Sequence, residues 1–114
     1  KQRGIIGVDV FTESTLSANE VGKKMEAAAV GTSFKLKMIS NRGTKVYPPT
    51  GAETDCVDHW RCRFLMQPGD EAQCTAQVTQ LLRQVEQAGL RWMHVEKLPE
   101  FDSARGYTMA QGED

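Results

Sequence analysis

The residues best suited to chemistry lie close together in the middle of the chain. His59 directly follows Asp58 and has the pattern of a base oriented by a carboxylate, while Cys56 and Cys62 are the candidate nucleophiles. Asp55, Asp58 and His59 also offer oxygen and nitrogen ligands to a metal ion. However, a histidine beside an aspartate at the start of a strand is commonplace. We therefore predict no catalytic residue and no metal site.

A second candidate site is the polar break Asn41-Arg42-Gly43 within the stretch KMISNRGTKVYPP. It contains one glycine and does not open a helix, so it does not fit a phosphate-binding loop. Its backbone amides and the Arg42 guanidinium could bind a carboxylate effector. Asn and Gly are also the residues that a turn or a bulge needs for conformational reasons, and we favour this interpretation. The sequence leaves open whether the break is a bulge or a hairpin tip.

Length and composition exclude several classes of protein. The 114 residues suffice for a single domain spanning 1–114, and 14 basic against 15 acidic residues give no global field that favours nucleic acid or membranes. Three cysteines without close pairing favour reduced thiols over a disulfide framework or a zinc knuckle. No targeting or membrane-spanning pattern is seen, so we expect a cytoplasmic protein. The start at Lys-Gln-Arg, without an initiator methionine, suggests a piece of a longer chain.

The periodicity of apolar residues predicts which elements position these candidates. Period-two alternation or continuous apolarity indicates strands, and the capping box at Ser17 and Glu20 opens a helix. The predicted elements are strands at 4–11, 33–40, 59–66 and 91–98, with 44–47 either continuing the second strand or folding back, and helices at 18–30 and from the N-cap Asp70 to about 88. A surface loop at 48–58 and a polar tail at 99–114 complete the prediction. This βαββαβ order predicts an α+β, ferredoxin-like fold with a four-stranded antiparallel sheet and both helices on one face.

One face of this sheet is left uncovered by helices, and its predicted residues are mostly basic or aromatic. Strict alternation places there Lys35, Lys37, His59, Arg61, Arg63, Trp92 and His94, together with Ile39, Leu65 and Glu96. A solvated face explains such a set, because long cationic side chains cover apolar surface. A protein interface anchored by Trp92 and the arginines is the second interpretation. RNA recognition is the third and least favoured, because the aromatic signature of RNA-binding sheets is absent.

Longer strings of residues resemble a known family. GVDVF, KMISNRGTKVYPPTG, TDCVDHWRCRF and RWMHVEKLPEFD, with the terminal AQGED, look like the C-terminal extension of a bacterial subgroup of isocitrate dehydrogenases. The resemblance runs from Gly4 to Asp114. It implies a parent that oxidises isocitrate to 2-oxoglutarate with NADP or NAD and Mg²⁺ or Mn²⁺.

The resemblance also implies what this chain lacks. The catalytic, substrate-binding and metal-binding residues of the family belong to the upstream dehydrogenase domain, so none is carried over to this sequence. We expect a domain without activity or cofactor of its own. Its expected partners are the upstream catalytic domain and a homo-oligomer mate.

Overall fold

The structure, a computed structural model, describes residues 4–13, 15–47, 55–66 and 74–101, with side chains described outside 45–47 and 55–57. Its elements are β1 (Gly4–Glu13), α1 (Ala18–Ala28), β2 (Lys35–Tyr47), β3 (Asp55–Met66), α2 (Cys74–Gln87), β4 (Arg91–Val95) and a 3-10 turn (Pro99–Phe101). Within these residues, no helix is long and apolar enough to span a membrane.

The four strands form one antiparallel sheet in the order β2-β3-β1-β4. The predicted α+β, ferredoxin-like arrangement is therefore confirmed, with the first and third strands at the centre of the sheet. The central strands pair without interruption from Gly4 opposite Met66 to Glu13 opposite Val57. This regular register fixes which side chains share a face.

The helices cover one face of the sheet, and the core lies between them and that face. Alternate residues of β1 and β3 enter this core, among them Val8, Val10, Cys62 and Phe64, each fully buried. The indole of Trp60 is buried there and donates to the Thr12 hydroxyl at 2.7 Å, so its polar N–H is satisfied. From α2, Val78, Leu81, Leu82 and Val85 complete the core.

The helix ends follow the sequence signals and also brace one another. Ser17 and Glu20 form the predicted capping box at the start of α1. Gly89, at φ 90°, ends α2 with the two backbone bonds of a Schellman motif. Neither helix has a basic residue in its last turn. Instead, Gln84 of α2 donates to carbonyls at the end of α1, and Lys24 of α1 donates to a carbonyl after α2.

At two β-bulges the side chains lie on the face opposite to the one that the alternation predicts. In β2 the register shifts between Leu36 and Met38, so Met38 pairs with Arg63 on the open face and Ile39 packs against the core. The alternation from sequence had assigned Met38 to the helix side and Ile39 to the open face. The prediction was wrong because one extra residue in a strand reverses the facing of every residue that follows.

The second bulge lies in β4 and corrects the position of Trp92. Asp9 of β1 pairs with His94, but the next residue, Val10, pairs with Trp92. Trp92 therefore packs on the helix side and donates to the Glu86 carboxylate at 2.8 Å. Its prediction as part of the open face was wrong, because the bulge places Trp92 and His94 on opposite faces.

The end of the described chain departs from a simple polar tail. β4 ends at Val95, and a tight turn with Lys97 at φ 66° leads into the 3-10 turn, whose Phe101 joins the core. Residues 99–101 thus begin the predicted tail with a packed aromatic. Residues 102–114, the predicted N-cap Asp70 and residues 48–54 of the predicted loop lie outside the described residues, and β3 begins within that predicted loop, at Asp55.

Candidate functional site

A fully buried carboxylate lies at the centre of the open face. Asp9 is on β1 between Val8 and Val10, and alternation points it away from the core that receives these valines. Arg61 of β3 donates to both of its oxygens, at 2.8 and 3.0 Å, and His94 of β4 lies 2.8 Å from the second oxygen. Such a bidentate guanidinium pair is among the stronger hydrogen-bonded arrangements in proteins.

A second carboxylate extends this cluster along the face. Glu96 lies 3.1 Å from Arg61 and 3.5 Å from Arg63, so Arg61 bridges Asp9 and Glu96. The backbone of Glu96 also donates to the Gly7 carbonyl at 2.7 Å. We refer to Asp9, His59, Arg61, Arg63, His94 and Glu96 as the ion network. With neutral histidines, its two carboxylates balance its two guanidinium groups.

His59 is the least satisfied member of the ion network. It is only 1% exposed, and its ring meets Phe11 edge to face at 5.5 Å between centroids. Its Nε2 lies 3.4 Å from the nearer Asp9 oxygen, and neither ring nitrogen makes a well-aligned hydrogen bond among the described residues. His59 therefore lies beside Asp9 without a well-aligned hydrogen bond, and it is a buried residue rather than part of a solvated face.

The surroundings of Asp9 decide its charge. Burial alone would raise its pKa, but the polar contacts from His59, His94 and Arg61 outweigh burial and hold the pKa of Asp9 far below its usual range. Asp9 is therefore ionised at every physiological pH. Three strands supply this cluster, since Asp9 is on β1, His59 and Arg61 are on β3, and His94 is on β4.

The predicted open-face residues thus divide into three groups. His59, Arg61, Arg63 and His94 come together in the ion network. Lys35 pairs with Leu65 at one end of the face, and Lys37 lies at the β2 bulge; both side chains are exposed. Trp92 is on the helix side, as described above.

The Asn41-Arg42-Gly43 break is a bulge inside the long strand β2. Asn41 pairs with Trp60 and Thr44 with Asp58, so one extra residue is accommodated. Gly43 has φ 100°, and its amide donates to the Asn41 side chain at 2.6 Å. The residue types are thus accounted for by conformation. Effector binding at this bulge stays a prediction.

The candidate catalytic residues are separated by the strand itself. Asp58 and His59 are adjacent on β3, so their side chains point to opposite faces, and Asp58 accepts from Thr44 at 2.9 Å. Burial, with the nearby charge of Asp9, raises the pKa of Cys62 to about 12. This thiol therefore stays protonated and is a poor nucleophile. Cys56 and Asp55 lie outside the residues with described side chains.

Within the part of the chain that the structure describes, the side chains of the ion network do not fit a divalent cation. Among the described residues, no three His, Cys, Asp or Glu side chains are placed to hold a metal ion. Asp9, the strongest single candidate ligand, already accepts a hydrogen bond from the Arg61 guanidinium. The positive charge of Arg61 would repel a metal cation bound at the same carboxylate. No metal-dependent step is therefore assigned to the described residues.

Asp9 was missed by the reasoning from sequence, which treated GIIGVDVF as near-continuous apolarity. A signal was present, because a single acidic residue lies between valines in a predicted central strand. Such a residue needs a buried cationic partner from a neighbouring strand. Glu96 was placed on the open face, but the sequence could not show that Arg61 links it to Asp9.

Comparison with known proteins identifies the family. The family described as the C-terminal domain of bacterial isocitrate dehydrogenase matches residues 3–113. The chain is 54% identical over 114 residues to an isocitrate dehydrogenase (NADP) from Thermus thermophilus, covering all of this chain and 23% of the relative. Identity to a protein of the same name from Rickettsia bellii is 36% over 110 residues, which is 96% of this chain and 22% of that one.

A solved structure agrees with these relatives. The crystal structure of a protein from Thermus thermophilus matches with a TM-score of 0.52 and 50% sequence identity, covering 100% of this chain and 23% of that chain. The chain thus spans less than a quarter of the length of the relatives it matches. It belongs to the family of C-terminal domains of bacterial isocitrate dehydrogenases.

Proposed function

We propose that this chain is the non-catalytic C-terminal domain of an NADP-dependent isocitrate dehydrogenase and that it contributes to the assembly and stability of the enzyme. In such a parent, isocitrate is oxidised and decarboxylated to 2-oxoglutarate by the upstream region, with NADP and Mg²⁺ or Mn²⁺. The names of the relatives support NADP over NAD. The upstream catalytic domain and a homo-oligomer mate are the proposed partners.

The observation that supports a structural role is the internal pairing of the ion network. Its arginines and carboxylates contact one another, and His94 is held against Asp9. A catalytic base or acid instead needs a proton acceptor or donor that is available to the substrate. Here the buried carboxylate is fixed as an anion by its neighbours. The groups that resemble catalytic residues therefore stabilise the sheet.

The test of the non-catalytic role uses the full-length enzyme with His94→Gln, which removes the accessible imidazole. We expect kcat and both KM values to stay within about twofold of the parent values. The thermal midpoint should fall, because Asp9 loses one partner. A matched control is Gln87→Ala, an exposed position on α2. A fall in kcat of more than about tenfold at an unchanged midpoint would contradict the proposal.

Assembly is tested separately at exposed positions of the open face. Reversing Arg61 would disrupt the ion network itself, so the informative change is Lys35→Glu with Lys37→Glu. We expect a weaker homo-oligomer by sedimentation velocity, because two carboxylates in place of the exposed lysines would loosen this domain from the upstream region and so from the assembled enzyme. Lys23→Glu, at an exposed position of α1, is the control. An unchanged sedimentation profile in the double variant would argue against an assembly role for this face.

A further inference from the structure

Beside the ion network, the open face carries exposed apolar side chains. Ile5 of β1 is 59% exposed and Met38 of β2 is 50% exposed. Half-buried Leu65 of β3 lies between them. On one side it pairs with Ile5 of β1. On the other side, Met38 of β2 pairs with Arg63, which is two residues before Leu65 on β3. We call these three residues the apolar strip. It crosses three neighbouring strands at the end of the sheet where β1 begins.

The bulge of β2 between Leu36 and Met38 exposes the Met38 side chain. Without the register shift after Leu36, continued alternation would turn Met38 toward the core. Among the described residues, the large hydrophobic side chains left exposed are Ile5, Val30 and Met38, so two of three lie in the apolar strip. Grouped apolar exposure of this kind marks an interaction site more often than scattered single residues do.

We propose that the apolar strip is the surface on which the upstream region of the same polypeptide docks; this rests on the proposed function. The family is a C-terminal domain, and the relatives are more than four times as long as this chain. The upstream chain therefore joins before β1, and Ile5 is the second residue of that strand. A partner tethered so close has an effective concentration of the order of millimolar.

The charges around the apolar strip define the chemistry of the docked surface. Lys35 pairs with Leu65 in the sheet and Lys37 adjoins Met38, whereas Arg63, opposite Met38, is already in an ion pair with Glu96. The matching surface is therefore an apolar patch rimmed by carboxylates. A second copy of this domain fits less well, because a two-fold contact through the strip would bring the basic rims of both copies together.

Radical footprinting of the full-length enzyme tests the docking directly. Val30 is 72% exposed and lies after α1, away from the sheet face, so it provides an internal reference. We expect Met38 and Ile5 to be labelled at least about tenfold more slowly than their exposure in this domain implies. Val30 should be labelled freely. Labelling of Met38 and Ile5 at the full rate would overturn the proposal.

The occupant is identified by repeating the footprint at dilutions that dissociate the oligomer. Protection that persists in the monomer is expected, because the docked region belongs to the same chain. Protection that disappears on dissociation would assign the strip to another subunit and overturn the proposal.

A matched pair of variants separates this inference from the proposed function. In the full-length enzyme, Ile5→Thr with Met38→Thr keeps strand propensity but removes apolar contact. We expect faster limited proteolysis at the junction before Gly4, with kcat unchanged, whereas Val30→Thr should alter neither. Unchanged proteolysis would contradict docking at the apolar strip and would leave the proposed non-catalytic role intact. A loss of kcat with intact docking would instead contradict the non-catalytic role.

Discussion

The two faces of the sheet come from the same strands but are stabilised by different interactions. On the helix side, β1 contributes Val8 and Val10 to a core of many interchangeable apolar contacts. On the open side, the same strand contributes Asp9, whose burial is compensated by a few specific polar contacts. One residue of difference along a strand therefore separates a packed interior from a buried ionic cluster.

The two faces should respond differently to substitution. An apolar core loses stability in proportion to the volume removed and relaxes around the cavity. A buried ion network has no such tolerance, because removal of one partner leaves the others desolvated and unpaired. A substitution at the centre of the open face should therefore reduce stability more than one in the core, although no helix covers the open face.

The greatest loss of stability should follow removal of the Asp9 charge. Asp9→Asn leaves Arg61 beside an uncharged amide, and we expect a loss of about 3 to 5 kcal/mol in unfolding free energy. Val10→Ala on the other face should cost about 2 kcal/mol. Urea unfolding of the 114-residue chain, followed by tryptophan fluorescence, measures both. If Val10→Ala proves the more damaging change, the contrast between the faces is wrong.

The dependence on pH provides a second test of the same contrast. The pKa of folded Asp9 is held far below the value of about 3.9 of an unfolded aspartate, so ionised Asp9 stabilises the fold above about pH 4. That contribution is lost progressively as the pH falls below about 4. The difference in unfolding free energy between the parent and Asp9→Asn should therefore shrink from about pH 5 to about pH 2. A difference that stays constant would show that Asp9 does not stabilise through its charge.

A more modest effect distinguishes two glycines. A methyl group at Gly7 would overlap the Glu96 carboxylate, so Gly7→Ala should displace Glu96 from Arg61 and cost about 0.5 to 1 kcal/mol. At Gly22, inside α1, a methyl group meets nothing within 4 Å. Gly22→Ala should therefore stabilise by about 1 kcal/mol. The two changes are measured by the same urea titrations, and effects of equal sign would contradict this account.

An effect of similar size concerns the helix ends on the covered side. Gln84→Ala leaves the carbonyls of Ala28 and Val30 without their side-chain donor, and we expect a loss of about 1 kcal/mol. Gln87→Ala, on the exposed surface of α2, should change the unfolding free energy by less than about 0.5 kcal/mol. Similar values for the two variants would show that the cross-helix bonds add no stability.

The contrast between the faces also bears on what could be predicted from sequence. Periodicity and the capping box predicted the elements, their order and the fold class, because these signals depend on neighbouring residues. The facing of Met38 and Trp92 could not be predicted in this way. Each depends on a bulge, which is set by the strand opposite rather than by local sequence.

The residues of the candidate site were partly within reach. Arg61, Arg63 and His59 were placed on the open face correctly, since the alternation of β3 has no interruption. His94 was also placed there correctly, because the β4 bulge changes the face of Trp92 and leaves His94 opposite Asp9. The roles of these residues were not predicted, because the sequence alternates in the same way whether a charged side chain faces water or a buried carboxylate. Asp9 would have been found by asking what satisfies a single acid in an apolar central strand.

Sequence alone was enough for the family, the four strands and two helices, and the separation of apolar from polar positions along each central strand. The family follows from the resemblance of longer strings of residues, whereas the elements and the separation of faces follow from the period of the apolar residues, which any extended or helical backbone obeys. The folded chain was needed to show that Asp9, Arg61 and His94 meet, and that Met38 faces outward while Trp92 faces inward. Such pairings join residues far apart in the chain, and their energies exist only once the strands are in register.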